Sequence, residues 1–242
     1  MDSNDPNVAE WVRHISYARY PHAAAIVLGG SHANGTANPR SDVDIAVIDN
    51  SVDAAYRESN IVEGKPVEWF VFTEKALPRF FREARRTALP TVLRLLACGR
   101  WLESSHGCRR WHSRAALFLA AGPAGWSLDE MNQARYELTE LLEDLEENRD
   151  RIERLVVAQQ LGVRLIRFYL RTEACWLGEG KWLWRMLELY NRGMASRYAA
   201  ALDRLGREDD ELPLIRLADE ILDANGGRWF DGYYAEMRQL AD

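Results

Sequence analysis

The chain has 242 residues, 47% hydrophobic and 28% charged, with a formal net charge of −6, enough apolar sequence for one large core or two small ones. The acidic balance argues against a protein built chiefly to grip a nucleic-acid backbone, which usually needs a basic footprint. No run approaches the ~18 uninterrupted apolar residues of a membrane span, and the start MDSNDPNVAEW lacks the basic segment and apolar run of a secretory signal, so a cytoplasmic protein without a membrane partner is expected.

In chain order, residues 6–20 have helical spacing, with Asn4 or Asp5 as cap before Pro6 and with Val8, Trp11, Val12 and Ile15 on one side. AAAIVLGGS then reads as a buried strand entering a Gly-Gly-Ser turn, and DVDIAVI as a second strand with period-two alternation. NIVEGKPVEWFVF predicts a hairpin around Glu63-Gly64-Lys65-Pro66, Thr73-Glu74 opens a helical segment, and WLES predicts one more short strand. From about residue 105 the pattern turns helical, over roughly 107–121, 127–149, 150–175, 181–205 and 213–239. The composition shift near 103–108 predicts two domains, 1–104 and 105–242. Cys98, Cys108 and Cys175 have no CxxC or Cys/His ligand spacing and read as reduced, structural thiols.

The chemistry concentrates in Gly29-Gly30-Ser31-His32-Ala33-Asn34-Gly35-Thr36 and the following Asp42-Val43-Asp44-Ile45-Ala46-Val47. A strand that ends in Gly-Ser at a helix start leaves backbone amides facing outward, and a missing Cβ lets a phosphate approach the chain. Two residues apart on a strand, Asp42 and Asp44 share one face while Val43, Ile45 and Val47 point into the core. Their like charges are tolerated best around a divalent cation, and Mg²⁺ takes one or two carboxylates together with substrate phosphate oxygens. Glu68 interrupts the apolar run Val67–Val71 and is the natural third carboxylate, because an acid on the inner face of a sheet is costly without a compensating charge. Glu63 and Asp49 stand near turn signals and read as solvated alternatives, and Arg40, just before the carboxylates, is placed to touch phosphate.

Gly-Ser, ten intervening residues, then Asp-x-Asp with an apolar tail resembles the DNA polymerase beta-like nucleotidyltransferase superfamily over roughly residues 23–72, with Gly30, Ser31, Asp42, Asp44 and Glu68 in the matching places. The resemblance implies an α+β architecture: an N-terminal nucleotidyltransferase domain with a mixed sheet flanked by helices, followed by a C-terminal helical bundle. It also implies a nucleoside triphosphate donor and two divalent metal ions. A compact catalytic domain followed by helices is similar to the antibiotic nucleotidyltransferases, which implies AMP transfer from ATP and Mg²⁺ to a hydroxyl of a small, cationic acceptor such as an aminoglycoside or lincosamide. Two other readings stay open: a toxin-antitoxin type transferase acting on a partner protein, and a silent nucleotide-binding module.

Within 136–147 the leucines form one stripe and acids flank it. Most of these acids read as a solvated face, but Glu137, Glu140 and Asp144 lie beside the stripe, and Asp144 is the preferred group to meet a substrate ammonium and accept a hydroxyl proton. Lys181, after Gly178-Glu179-Gly180 at a helix start, is a second candidate for the triphosphate. Trp176, Trp182 and Trp184 read as bundle packing, and the abundance of tryptophan and arginine suits a homodimer.

Overall fold

The computed structural model describes residues 6–147 and 150–234. It divides into two compact units, one up to Pro123 and one from Ala124. Among the described residues no helix is long and apolar enough to cross a membrane.

The first unit is built on a five-stranded mixed sheet. Helix α1 (Pro6–Arg19) precedes β1 (Ala25–Leu28), the short α2 (Gly30–Asn34), β2 (Val43–Ile48), β3 (Tyr56–Val62) and β4 (Lys65–Phe72). Then come α3 (Leu77–Thr87), α4 (Thr91–Cys98), β5 (Arg100–Ser104) and α5 (Arg109–Ala120). The strand order is β3-β4-β2-β1-β5, with β2 and β4 parallel and the other pairs antiparallel. The residues proposed as caps for α1, Asn4 and Asp5, lie outside the described residues.

Period-two alternation splits the sheet into two faces. Ile26, Leu28, Val43, Ile45, Val47, Val67, Trp69 and Val71 are buried in one cluster with Val8, Ala9, Val12 and Ile15 of α1. The other face carries Asp44, Ala46, Glu68 and Phe70 in register, ending at Phe72, which meets Phe80 of α3 edge-on at 5.1 Å. The hairpin between β3 and β4 closes on two residues, Glu63 and Gly64, both at positive φ (50° and 79°), the backbone of the tight turn that matches strand twist.

Strand β3 begins at Tyr56, earlier than the sequence pattern indicates, because Tyr56-Arg57-Glu58-Ser59 is a polar edge segment without an apolar period. The helical segment opened at Thr73 resolves into α3 and α4, parted where Ala88 takes φ 57° and Pro90 follows. Helix α5 belongs to the first unit. Its Trp111 ring meets Phe81 edge-on at 6.0 Å, and its indole donates to Glu74 at 2.7 Å.

The second unit is helical: α6 (Leu128–Glu147), α7 (Arg151–Thr172), α8 (Lys181–Tyr190), α9 (Arg192–Glu208) and α10 (Leu212–Asp223). Asp150 caps α7 by accepting from the amides of Ile152 and Glu153. The single helix predicted over 181–205 is two, because Asn191 ends α8 with its amide on the Leu187 carbonyl and starts α9 with its side chain accepting from Met194. The segment predicted over 213–239 stops at Asp223, where Gly226 and Gly227 adopt φ 101° and 78°; residues 235–239 lie outside the described residues.

Candidate metal and nucleotide site

Strand β1 leads through Gly29 directly into α2, and β2 runs beside it. The Gly29 amide donates to the Asp44 carbonyl at 2.8 Å, fixing this turn against β2. Gly30 sits at φ 58°, and a Cβ there would come within 1.8 Å of Asp44 Oδ2. Only glycine fits: the turn and the carboxylate use the same space. The first amides of α2 have no intrahelical acceptor by helix geometry, and Ser31 adds a half-buried hydroxyl beside them.

Parallel pairing puts Asp44 directly opposite Glu68, so the two carboxylates leave the same face at neighbouring strand positions. Asp42, exposed just before β2, completes a group in which one oxygen from each of Asp42, Asp44 and Glu68 lies within 4.8 Å of the others. Three carboxylates this close are a set that could hold a metal ion, and an all-oxygen donor set is of the kind hard divalent cations take. The carboxylates read from the sequence are thus brought together in the fold.

One neighbour was not legible in the sequence. Arg57 of β3 donates through Nη2 to both Glu68 oxygens, at 2.7 and 2.6 Å, while its guanidinium lies 5.1 Å over the Phe70 ring. The alternation along β3 would have revealed it only with the strand start at Tyr56 recognised.

The weaker candidates separate. Asp49 is buried rather than solvated, and its Oδ1 accepts from the amide and hydroxyl of Ser51 at 2.8 and 2.6 Å, closing the turn after β2. Glu63 accepts from the Trp11 indole at 2.7 Å. Arg40 lies in the exposed turn before Asp42. Burial pushes the His32 imidazole below its ordinary pKa, and its Nε2 has no hydrogen-bond partner among the described residues.

In the second unit, Glu137, Glu140, Leu141, Glu143 and Asp144 of α6 line an open cleft of about 310 Å³ with Arg164 and Phe230. Glu137 pairs with Arg164, and Glu140 accepts from the Tyr136 hydroxyl at 2.7 Å, which raises the phenol's pKa. Asp144 is exposed and has no hydrogen bond or ion pair with a described residue. Lys181 is exposed at the first position of α8. Trp182, expected in the packing, is 39% exposed with the Arg185 guanidinium 4.7 Å over its ring.

No curated protein matches the chain. A solved structure described as a nucleotidyltransferase-like protein from Exiguobacterium sibiricum 255-15 aligns at 14% identity over 90% of this chain and 75% of its own, with a TM-score of 0.45. The family model described as Nucleotidyltransferase domain matches residues 10–89. The stretch that builds the carboxylate site therefore matches the nucleotidyltransferase domain, consistent with the DNA polymerase beta-like superfamily, and supports nucleotidyl transfer from a nucleoside triphosphate.

Proposed function

We propose that the chain transfers a nucleoside monophosphate, AMP from ATP, to a hydroxyl of a small cationic antibiotic of the aminoglycoside or lincosamide kind. The observation that carries this reading is the convergence of Asp42, Asp44 and Glu68 beside the Gly30-Ser31 turn, inside the stretch that matches the nucleotidyltransferase domain. Asp42, Asp44 and Glu68 would hold Mg²⁺, which when bound neutralises charge developing on the transferred phosphate. The amides around Gly30 and Ser31 bind a phosphate oxygen of the donor, because an anion there meets aligned N–H groups without a Cβ in the way. Arg40 and Lys181 are the cations assigned to the triphosphate.

The acceptor is assigned to residues 105–242, and its charge is argued from the α6 cleft. Four carboxylates and one arginine around about 310 Å³ attract a molecule bearing ammonium groups. Asp144 is the carboxylate assigned to take the acceptor's hydroxyl proton.

The test is mass spectrometry of a panel of aminoglycosides and lincosamides incubated with purified protein, ATP and magnesium, with Asp44→Ala as control. A nucleotidyl mass gain on one drug, absent with Asp44→Ala, is the expected result. Equal gains with both proteins would sink the metal assignment. No gain on any drug would sink the antibiotic acceptor and leave a protein or another metabolite as the target.

A further inference from the structure

We propose that Arg57 is a positioning residue for the third carboxylate of this site, holding Glu68 in the orientation that lets a divalent cation be shared with Asp42 and Asp44. The inference rests on the metal-dependent reading above. Strand β3 is antiparallel to β4, with Arg57 opposite Phe70 and Ser59 opposite Glu68. Directly opposed residues share a face, so Arg57 stands one diagonal step from Glu68, a distance long side chains span. The guanidinium is fixed at two points, by Nη2 on both Glu68 oxygens at 2.7 and 2.6 Å and by the Phe70 ring 5.1 Å beneath it.

An ordinary surface ion pair is a poor description of this contact. The Arg57 side chain is 60% exposed against 21% for Glu68, so the pair adds little to stability. What it restricts is rotation of the carboxylate. A carboxylate offers about four lone-pair positions. Nη2 takes one on each oxygen, and a Glu68 oxygen still lies within 4.8 Å of ligand oxygens of both aspartates. Glu68 can therefore keep the guanidinium and serve a cation together. The formal charges of these four side chains sum to −2, so the group still attracts a divalent cation with Arg57 in place.

The experiment titrates Mn²⁺ into the purified protein and follows free Mn²⁺ by electron paramagnetic resonance, which needs neither nucleotide nor acceptor. Wild type is compared with Arg57→Gln, Arg57→Lys, Glu68→Gln and Asp44→Asn. Loss of a hydrogen-bonded partner behind a ligating carboxylate weakens metal binding by about 10- to 100-fold, so Arg57→Gln is expected to raise the Mn²⁺ dissociation constant about 10-fold, toward that of Glu68→Gln. Arg57→Lys restores most of the affinity, because one nitrogen makes both contacts. The exposed position lets all these Arg57 variants keep the fold, read from an unchanged thermal midpoint. Mn²⁺ binding that is equal or tighter in Arg57→Gln, while still lost in Asp44→Asn, overturns the role of Arg57 alone. Binding insensitive to Asp44→Asn, or none in wild type, overturns the metal reading and this inference with it.

Discussion

The molecule carries two groups of carboxylates, one on the sheet and one on helix α6, and they are organised by different rules. On the sheet, parallel register sets Asp44 against Glu68, and the turn at Gly30 fills the space above Asp44 so closely that no Cβ fits. Asp42 joins them within 4.8 Å. On α6, Glu137, Glu140, Glu143 and Asp144 follow helical spacing around an open cleft, two of them already engaged by Arg164 and Tyr136. Neighbouring strands deliver convergence, because adjacent positions lie about 5 Å apart and share a face. A helix surface spreads its charges over successive turns and offers a field rather than a point. Convergent oxygens suit a compact divalent ion, and a field suits a larger cation with several ammonium groups.

The most severe way to break the sheet side of this comparison is Gly30→Ala. The new methyl group competes with Asp44 Oδ2 for the same position, and the backbone φ of 58° adds strain. The carboxylate and the Gly30-Ser31 turn both move, and displacements of about 1 Å cost about 100-fold in rate, so nucleotidyl transfer is expected to fall about 10²- to 10³-fold. Steady-state kinetics with saturating metal and ATP checks this. Activity within a few-fold of wild type would show that the close approach of Gly30 and Asp44 has no part in the chemistry.

The same contrast governs what could be read from the sequence. Gly-Ser and Asp-x-Asp announce the site because their spacing is local and their physical demands are narrow: no Cβ at Gly30, and two acids on one face of β2. Glu68 was legible because it interrupts an apolar strand, and alternating apolar runs marked single strands, whereas the mixed sheet came from the family resemblance. Arg57 was not, since the polar segment at the start of β3 has no core-facing period and its partner is set by pairing, which single-strand patterns do not contain. Asp49 read as solvated because a turn signal says nothing of the cover above it, yet it is buried and satisfied by Ser51. The break at Asn191 was hidden because apolar spacing carries across it, and only the two caps made by one asparagine reveal it. The α6 acids were legible as a group and not as individuals, as expected where helical spacing repeats the same residue type on one face.

Asp144→Asn sharpens the comparison from the helix side. If a single group on this face takes a proton from the acceptor, its loss lowers kcat by about 100-fold with nucleotide affinity unchanged, the scale of general base catalysis. Glu143→Gln, a neighbour in the same cleft, provides the contrast. Losing part of a diffuse field, it raises the acceptor's KM a few-fold and leaves kcat alone. Equal, small KM effects from both substitutions would mean that the cleft contributes field only, and would remove Asp144 as the base.

Glu74 gives the smallest effect and tests whether an acid in the first unit can be purely structural. It joins the end of β4 to α5, accepting from the Trp111 indole at 2.7 Å, from Asn50 at 3.3 Å and from Arg110. The Trp111 hydrogen bond, reinforced by Asn50 and Arg110, holds its carboxyl below the ordinary value of 4.5 despite the opposing cost of burial. A carboxyl lowered in the folded state binds its proton more readily when unfolded, so its stabilisation is complete above 4.5 and is lost as the pH falls through the folded value. Glu74→Gln is expected to cost about 1–2 kcal/mol at pH 7, measured by urea unfolding, with transfer activity retained. The difference from wild type should shrink on acidification below pH 4.5, as the native carboxyl takes up its proton. A gap that is the same at pH 7 and in acid would assign the stabilisation to side-chain shape and neutral hydrogen bonding, and not to the carboxylate charge.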